Sequence, residues 1–334
     1  MNGLTNAVAN AVSNSVSNTL ASGVGSSVAS DDWWNRLFDF SDYGSLLALV
    51  QNSLIAGAVL GLVGGLVGVF IMQRDLAFAV HGISELSFAG AAAALLLAVD
   101  VTLGAVLGSV LAALLIGVLG TRARDRNSII GVLMPFGLGL GVLFLSLYPG
   151  RAANKFGLLT GQIVAVDDTR LSLLVGISAV VVVGLVVLWR PLTFASIDPD
   201  VAAARGVPVR ALSFAFMLLL GLAVALAVQV VGALLVLSLL ITPAAAATRI
   251  SASPVMVPVL SVVFAVVSAV GGIMLALGGN VPISPYVTTI SFVIYVVCRL
   301  VGRSRTRRGW TPRRPAAPEH ARAHRPASAT HPSR

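Results

Sequence analysis

Cysteine, lysine and histidine are nearly missing from the body of this sequence, and each absence removes a class of chemistry. The single cysteine, Cys298, excludes an intrachain disulfide framework and a cysteine-based metal site. The single lysine, Lys155, lies in no G-x-x-x-x-G-K-[ST] stretch, and Gly157-Leu158-Leu159-Thr160-Gly161 carries no lysine at all. The chain is therefore not a phosphate-loop ATPase. No H-E-x-x-H pair and no Ser/His/Asp arrangement occurs, which leaves a membrane-embedded hydrolase without support. Charge is scarce too: charged residues make up 10% of the chain, where soluble domains carry roughly 25%. The net charge of +9 comes mostly from arginines in the C-terminal tail. That excess speaks for membrane sidedness and attraction to lipid rather than for nucleic-acid binding.

What the sequence has in abundance is apolar length. Hydrophobic residues make up 57% of it, in runs near or above the ~18–20 residues that cross a bilayer as a helix. Barrel strands would instead show alternation over ~10 residues. The expected fold is all-α: a polytopic membrane helix bundle of eight or nine transmembrane helices, multi-pass in a bacterial cytoplasmic membrane. Residues 46–301 form the membrane domain. Residues 1–45 read as a disordered extension followed by an interfacial segment in which Trp33, Trp34, Phe38, Phe40 and Tyr43 mix with aspartates. Residues 302–334 read as a basic disordered cytoplasmic tail.

The spans fall at about residues 46–72, 76–99, up to 120, 128–148, 171–189, 211–228, 230–247, 256–277 and 286–301. The boundary near Gln229 is weak; residues 211–247 read either as two short spans or as one broken element. In the first span Gly57, Gly61, Gly64, Gly65 and Gly68 recur at small-xxx-small spacing, as close helix packing needs. Arginine placement puts Arg74, Arg122–Arg126, Arg190, Arg205, Arg210, Arg249 and the tail in the cytoplasm. Asp100, Asp167-Asp168 and Asn280 then lie outside, and nine crossings alternate without contradiction.

The second span carries the candidate chemistry. Three of the four histidines lie in the tail, so His81 is the only one in the hydrophobic body, and Glu85 follows four residues later. That spacing puts both on one helix face, with Cβ atoms roughly 5–6 Å apart. Ionisable groups inside a span are costly and mark ion paths. Imidazole plus carboxylate suits zinc, manganese or ferrous iron and does not suit copper(I). Two ligands are too few for a closed structural site, as befits a transported ion. Ser84 and Ser87 offer weak oxygen contacts nearby. The bland reading is a mutual His81–Glu85 pair that merely packs.

Residues 197–208 read Ile-Asp-Pro-Asp-Val-Ala-Ala-Ala-Arg-Gly-Val-Pro. Asp198 can cap a helix, Pro199 fits its first position, Gly206 its stop and Pro208 the chain just beyond. This is a short cytoplasmic helix, either a docking element or a plain connector. Thr242-Pro243 breaks an apolar run, as a kink or as a helix terminus. His320, His324 and His331 in the tail are weak metal-binding candidates on composition alone. Read from residues only, the chain carries an ion path at His81 and Glu85, as a transport subunit or as a stand-alone secondary transporter with a His81/Glu85 relay, or it is a non-transporting membrane assembly subunit.

Three stretches in order resemble the permeases of metal-cation ABC transporters, the membrane subunits of bacterial zinc, manganese and iron importers. They are Gly68-Val69-Phe70-Ile71-Met72-Gln73-Arg74 running through Leu76-Ala77-Phe78 to Phe88-Ala89-Gly90, then Ile197-Asp198-Pro199-Asp200-Val201-Ala202 with Arg205-Gly206-Val207-Pro208. The third runs from Gln229-Val230-Val231-Gly232 through Leu240-Ile241-Thr242-Pro243-Ala244. The family's second-span motif is G-D-A-x-S-H. Here His81 stands at the Asp position, Ser84 at the Ser and Glu85 at the His, so the spacing is kept and the residue types are exchanged.

The resemblance implies a transport subunit that is not itself an enzyme. His81 and Glu85 would be its ion ligands. Asp198, Pro199, Asp200, Val201, Ala202, Arg205, Gly206 and Pro208 would form its ATPase-coupling helix. No tightly bound cofactor is expected: the divalent metal, zinc or manganese, is cargo, and ATP sits on the partner. The implied partners are a cytoplasmic ATP-binding-cassette ATPase, an extracytoplasmic metal-binding protein, a second copy of this chain and membrane lipid, with no nucleic acid.

Overall fold

The computed structural model describes residues 50–120, 123–150, 157–158, 167–233, 236–277 and 283–309. The expected extension and interfacial segment of residues 1–45, and the tail histidines, lie outside them. Eleven helices follow one another among the described residues: α1 (Gln51–Gln73), α2 (Ala77–Leu96), α3 (Val101–Leu119), α4 (Ala123–Leu147), α5 (Asp168–Ile197), α6 (Pro199–Ala204), α7 (Val209–Val231), α8 (Val236–Leu240), α9 (Thr242–Ile250), α10 (Met256–Ala276) and α11 (Ile283–Gly309). Eight of these are long and apolar enough to cross a membrane. No strand occurs among the described residues.

Tight reversals join the first spans. After α1, Asp75 takes φ 52° and Leu76 N–H donates to Ile71 O at 3.0 Å. After α2, Ala98 takes φ 55° and Val99 N–H donates to Ala94 O at 2.9 Å. Both turns satisfy late helix carbonyls with a left-handed residue just past the end, the position that normally favours glycine. Asp100 then opens α3, its Oδ1 accepting from Leu103 N–H at 3.0 Å.

Glycine decides which helices touch. On α1, Gly61 and Gly65 face α10 so closely that a Cβ would meet Val266 Cα at 2.8 Å and Val262 Cα at 2.5 Å. Ser261 Oγ of α10 donates to Gly65 O at 2.7 Å. Gly64 and Gly68 face the backbone of Leu239 and Leu240 in α8. The small-residue spacing of the first span thus serves two neighbours on two faces. α1, α2 and α7 are the most enclosed helices, and the aromatic cluster of Phe70, Trp189 and Phe216 joins α1, α5 and α7, with ring centroids 4.9 Å and 5.8 Å from Phe70.

Different polar groups gather at the two ends of the bundle. At one end Asn52 Nδ2 donates to Asp168 Oδ1 at 2.8 Å and Ser284 Oγ to Val231 O at 3.0 Å. At the other end Arg74 bonds Ser196 and Ser213, and Gly302 lies against Arg249 O.

Three elements differ from the sequence reading. The weak boundary near Gln229 resolves into one long helix and a broken pair. α7 ends at Gly232, whose φ 89°, ψ 155° only glycine adopts readily. The short helices α8 and α9 then carry the chain back from Val231 at the outer end to Ile250 at the inner end. The 15 residues Val236–Ile250 rise about 22 Å, about 5 Å short of the rise of α11 between Ser284 and Gly302. Pro243 lies in the first turn of α9, where its missing N–H costs nothing. Second, α5 does not stop at Arg190-Pro191 but runs through Pro191 to Ile197. The packing of Trp189 on Phe70, with Leu192 and Ala195 buried, holds the helix past its proline. Third, α11 continues beyond Val301 to Gly309, into the stretch expected to open the tail.

Candidate functional site

His81 is the fifth residue of α2 and Glu85 lies one turn further in. At 1.5 Å per residue His81 lies about 6 Å and Glu85 about 12 Å along α2 from its first residue, Ala77, toward the membrane interior. Their side chains lean together without bonding: Nε2 of His81 and Oε1 of Glu85 are 3.7 Å apart. That exceeds hydrogen-bond length. The Glu85 side chain is 5% exposed and that of His81 30%, so the carboxylate is buried and the imidazole partly exposed.

Two more atoms of the pair lack partners. His81 Nδ1 and Glu85 Oε2 are buried with no hydrogen bond. A buried polar atom left unsatisfied costs roughly 1–3 kcal/mol, so a purely structural pair would be expected to close up or recruit a third group. Among the described residues no cluster of three or more His, Cys, Asp or Glu exists. The arrangement therefore offers a cation one imidazole nitrogen and one carboxylate, with the remaining coordination open.

The serine hydroxyls are tied to backbone. Ser84 Oγ donates to His81 O at 2.8 Å and Ser87 Oγ donates to Ala105 O of α3 at 3.0 Å. Both hydroxyl protons are spent on backbone, and Ser87 turns away toward α3.

What fixes the pair is backbone contact on two sides of α2. A Cβ on Gly137 of α4 would lie 3.0 Å from Glu85 C and 3.0 Å from Leu86 N. A Cβ on Gly108 of α3 would strike Leu86 O, and Gly104 likewise abuts Gly90 O. The Glu85–Leu86 peptide is thus gripped between glycines of two neighbours. Sequence reasoning passed over Gly104, Gly108, Gly137 and Gly141, although their spacing of four is the same small-xxx-small signal it used in the first span.

The residues singled out at 198–208 come together as α6 and its flanks. Asp198 Oδ1 accepts from Asp200 N–H at 3.1 Å and Val201 N–H at 3.0 Å, and Pro199 occupies the first position. Gly206 takes φ 83°, and Val207 N–H closes the turn on Ala202 O at 3.0 Å. Ala202 is buried as the anchor, while Asp200, Val201, Arg205 and Pro208 are exposed. The result is a rigid, punctuated knob at the inner end of the bundle. It packs on α5 and α7, whereas the His81/Glu85 pair rides on α2 between α3 and α4.

Arg74, read in the sequence for sidedness and as part of the first family stretch, also makes a polar cluster. Arg74 Nε donates to Ser196 Oγ at 2.8 Å and Nη1 to Ser213 Oγ at 3.2 Å, and its guanidinium lies 5.5 Å over the Phe216 ring. Burial, and then the nearby Arg126 charge, lower its pKa to about 10. It remains charged at neutral pH.

Comparison with known proteins places these features in a common frame. The profile of the ABC 3 transport family matches residues 47–302. The manganese transport system membrane protein MntC of Halalkalibacterium halodurans is 32% identical over 225 residues, covering 67% of this chain and 77% of that protein. The high-affinity zinc uptake system membrane protein ZnuB of Haemophilus influenzae is 27% identical over 254 residues, covering 75% and 97%. Among solved structures, PsaBC from Streptococcus pneumoniae in complex with Fab superposes with a TM-score of 0.70 at 28% identity, covering 78% of this chain and 95% of the other.

Proposed function

Because this chain belongs to the ABC 3 transport family and is a multi-pass permease subunit of the bacterial cytoplasmic membrane, we propose that its cargo is a divalent metal cation, manganese or zinc. The observation that carries this reading is the unclosed His81/Glu85 pair. An imidazole and a carboxylate 3.7 Å apart, each with a buried unpartnered atom, form half a coordination shell inside a span. Nitrogen-plus-oxygen donors suit manganese and zinc, and the manganese and zinc systems named for the relatives agree with that chemistry.

An open shell binds loosely enough to let go. Water, or the matching face of a second copy of this chain, would complete it. ATP hydrolysis belongs to a separate cytoplasmic ATPase, for which α6 is the docking knob. An extracytoplasmic metal-binding protein delivers the ion to the outer face. Motion of α6 reaches the bundle through α5 and α7, which flank it in sequence and pack on α1 and α2.

The test is metal accumulation in cells lacking this gene and its redundant importers, read for manganese, zinc and iron. Loss of one metal, rescued by the wild type and not by Glu85→Ala, is the expected result. Unchanged levels of all three metals would overturn the cargo assignment. Full rescue by Glu85→Ala would overturn the site.

A further inference from the structure

Where α1 turns into α2, a cavity of about 220 Å³ opens at the inner end of the bundle, lined on one side by Pro199. Its polar wall is cationic. Arg74 and Arg126 line it with Ser196 and Ser213, and no acidic residue lines it among the described residues. The rest of the wall is largely apolar, with Leu76, Ile116 and Met217 contributing.

Among the described side chains neither arginine has a carboxylate partner there. The only ion pairs among the described residues are His81–Glu85 and Arg170–Asp167. Arg74 spends two N–H groups on serine hydroxyls, and a guanidinium carries five. Those two bonds, with the Phe216 ring beneath, fix the plane of its fork and leave the other donors for a ligand. Arg126 folds back over Gly120, where a Cβ would meet its own Cβ at 3.0 Å, and its Nε is buried with no hydrogen-bond partner. Two guanidiniums sharing a partly enclosed space without a counter-charge repel each other and are poorly solvated. A multivalent oxyanion relieves both costs at once, since planar guanidinium forks match phosphate oxygens.

The surroundings say where the phosphate comes from. Val118 and Leu119 at the end of α3, and Phe194 and Ile197 at the end of α5, expose apolar side chains at the same end of the bundle. A free anion has no use for such flanks, whereas acyl chains do. Basic pockets between membrane helices on the cytoplasmic side suit anionic headgroups.

We propose that the Arg74/Arg126 cavity binds the phosphate group of an anionic phospholipid of the cytoplasmic leaflet, beside the helix that begins at Pro199.

The experiment uses the purified full-length chain and titrates dioctanoyl phosphatidylglycerol, dioctanoyl phosphatidylcholine and inorganic phosphate, read by thermal shift and by native mass spectrometry. Phosphatidylglycerol should bind and stabilise, and the two controls should not. Arg126→Gln should weaken that binding roughly fivefold to tenfold, the loss of one charge-assisted phosphate contact. Arg126→Lys should recover part of it. Arg210→Gln removes an equal charge from an exposed position at the same end and should leave binding unchanged. Equal weakening by Arg210→Gln would mean a diffuse field and overturn the site. Displacement of the lipid by inorganic phosphate at equal concentration would overturn the lipid assignment. A photo-crosslinking phosphatidylglycerol on the wild-type chain gives a readout independent of mutant folding. Crosslinks on the peptides around residues 116–126 and 194–199 are expected, and crosslinks found only elsewhere would overturn the proposal.

Discussion

Glu85 is one of two glutamates in the chain, the other being Glu319 in the tail. It is also the only carboxylate in the interior of a described span, and its Oε2 has no partner. On the proposed cargo assignment that cost, roughly 1–3 kcal/mol for an unsatisfied buried polar atom, would be borne by the apo protein and recovered on cation binding. Glu85→Leu should therefore reduce metal uptake at least about tenfold, while the melting temperature of the purified permease stays equal to the wild type or rises. A large fall in melting temperature alongside lost uptake would identify Glu85 as a structural residue instead. His81 and Glu85 stood out in the sequence because titratable groups are rare in apolar runs. Arg74 and Arg126 did not, because each stands at a span boundary, where arginine is expected for sidedness alone. Their meeting across 52 positions is a product of helix packing.

Among the helices, α2 is the element on which the candidate site rides, and its grip by α3 and α4 is testable with glycine pairs. A Cβ on Gly137 would press within 3.0 Å of the Glu85–Leu86 backbone, whereas a Cβ on Gly139 meets nothing within 4 Å. Gly139→Ala should be neutral or stabilising by up to about 1 kcal/mol, the ordinary gain of alanine over glycine in a helix. Gly137→Ala should destabilise by roughly 1–3 kcal/mol through overpacking and lower uptake as Glu85 shifts. Thermal unfolding and uptake of the two variants check this, and equal behaviour would remove the claim that α4 positions Glu85. The long helices were legible from run length, and α6 from its Asp198, Pro199 and Gly206 punctuation. The course of α5 through Pro191 was not legible, because local propensity argues for a stop and only the packing of Trp189 and Leu192 overrides it.

At the scale of the whole molecule, the broken pair α8–α9 decides the topology. As a crossing, it puts residues near Ser253 in the cytoplasm and the chain just before Ile283 outside. Alkaline phosphatase fused after Ser253 should then be inactive and fused just before Ile283 active; activity at Ser253 would mean that the pair turns back within the membrane. The sequence alone determined that the chain is helical and membrane-spanning, and that one His–Glu pair sits within a span. These follow from the transfer energy of each segment into lipid, a property of that segment alone. Only the tertiary structure decided which helices touch, that His81 and Glu85 stand apart at 3.7 Å, and that two distant arginines share a cavity beside Pro199. In lipid every apolar helix surface is nearly equivalent, so partner choice rests on close contact between glycine faces and on polar side chains reaching across. That complementarity belongs to pairs of segments and exists only once they are assembled.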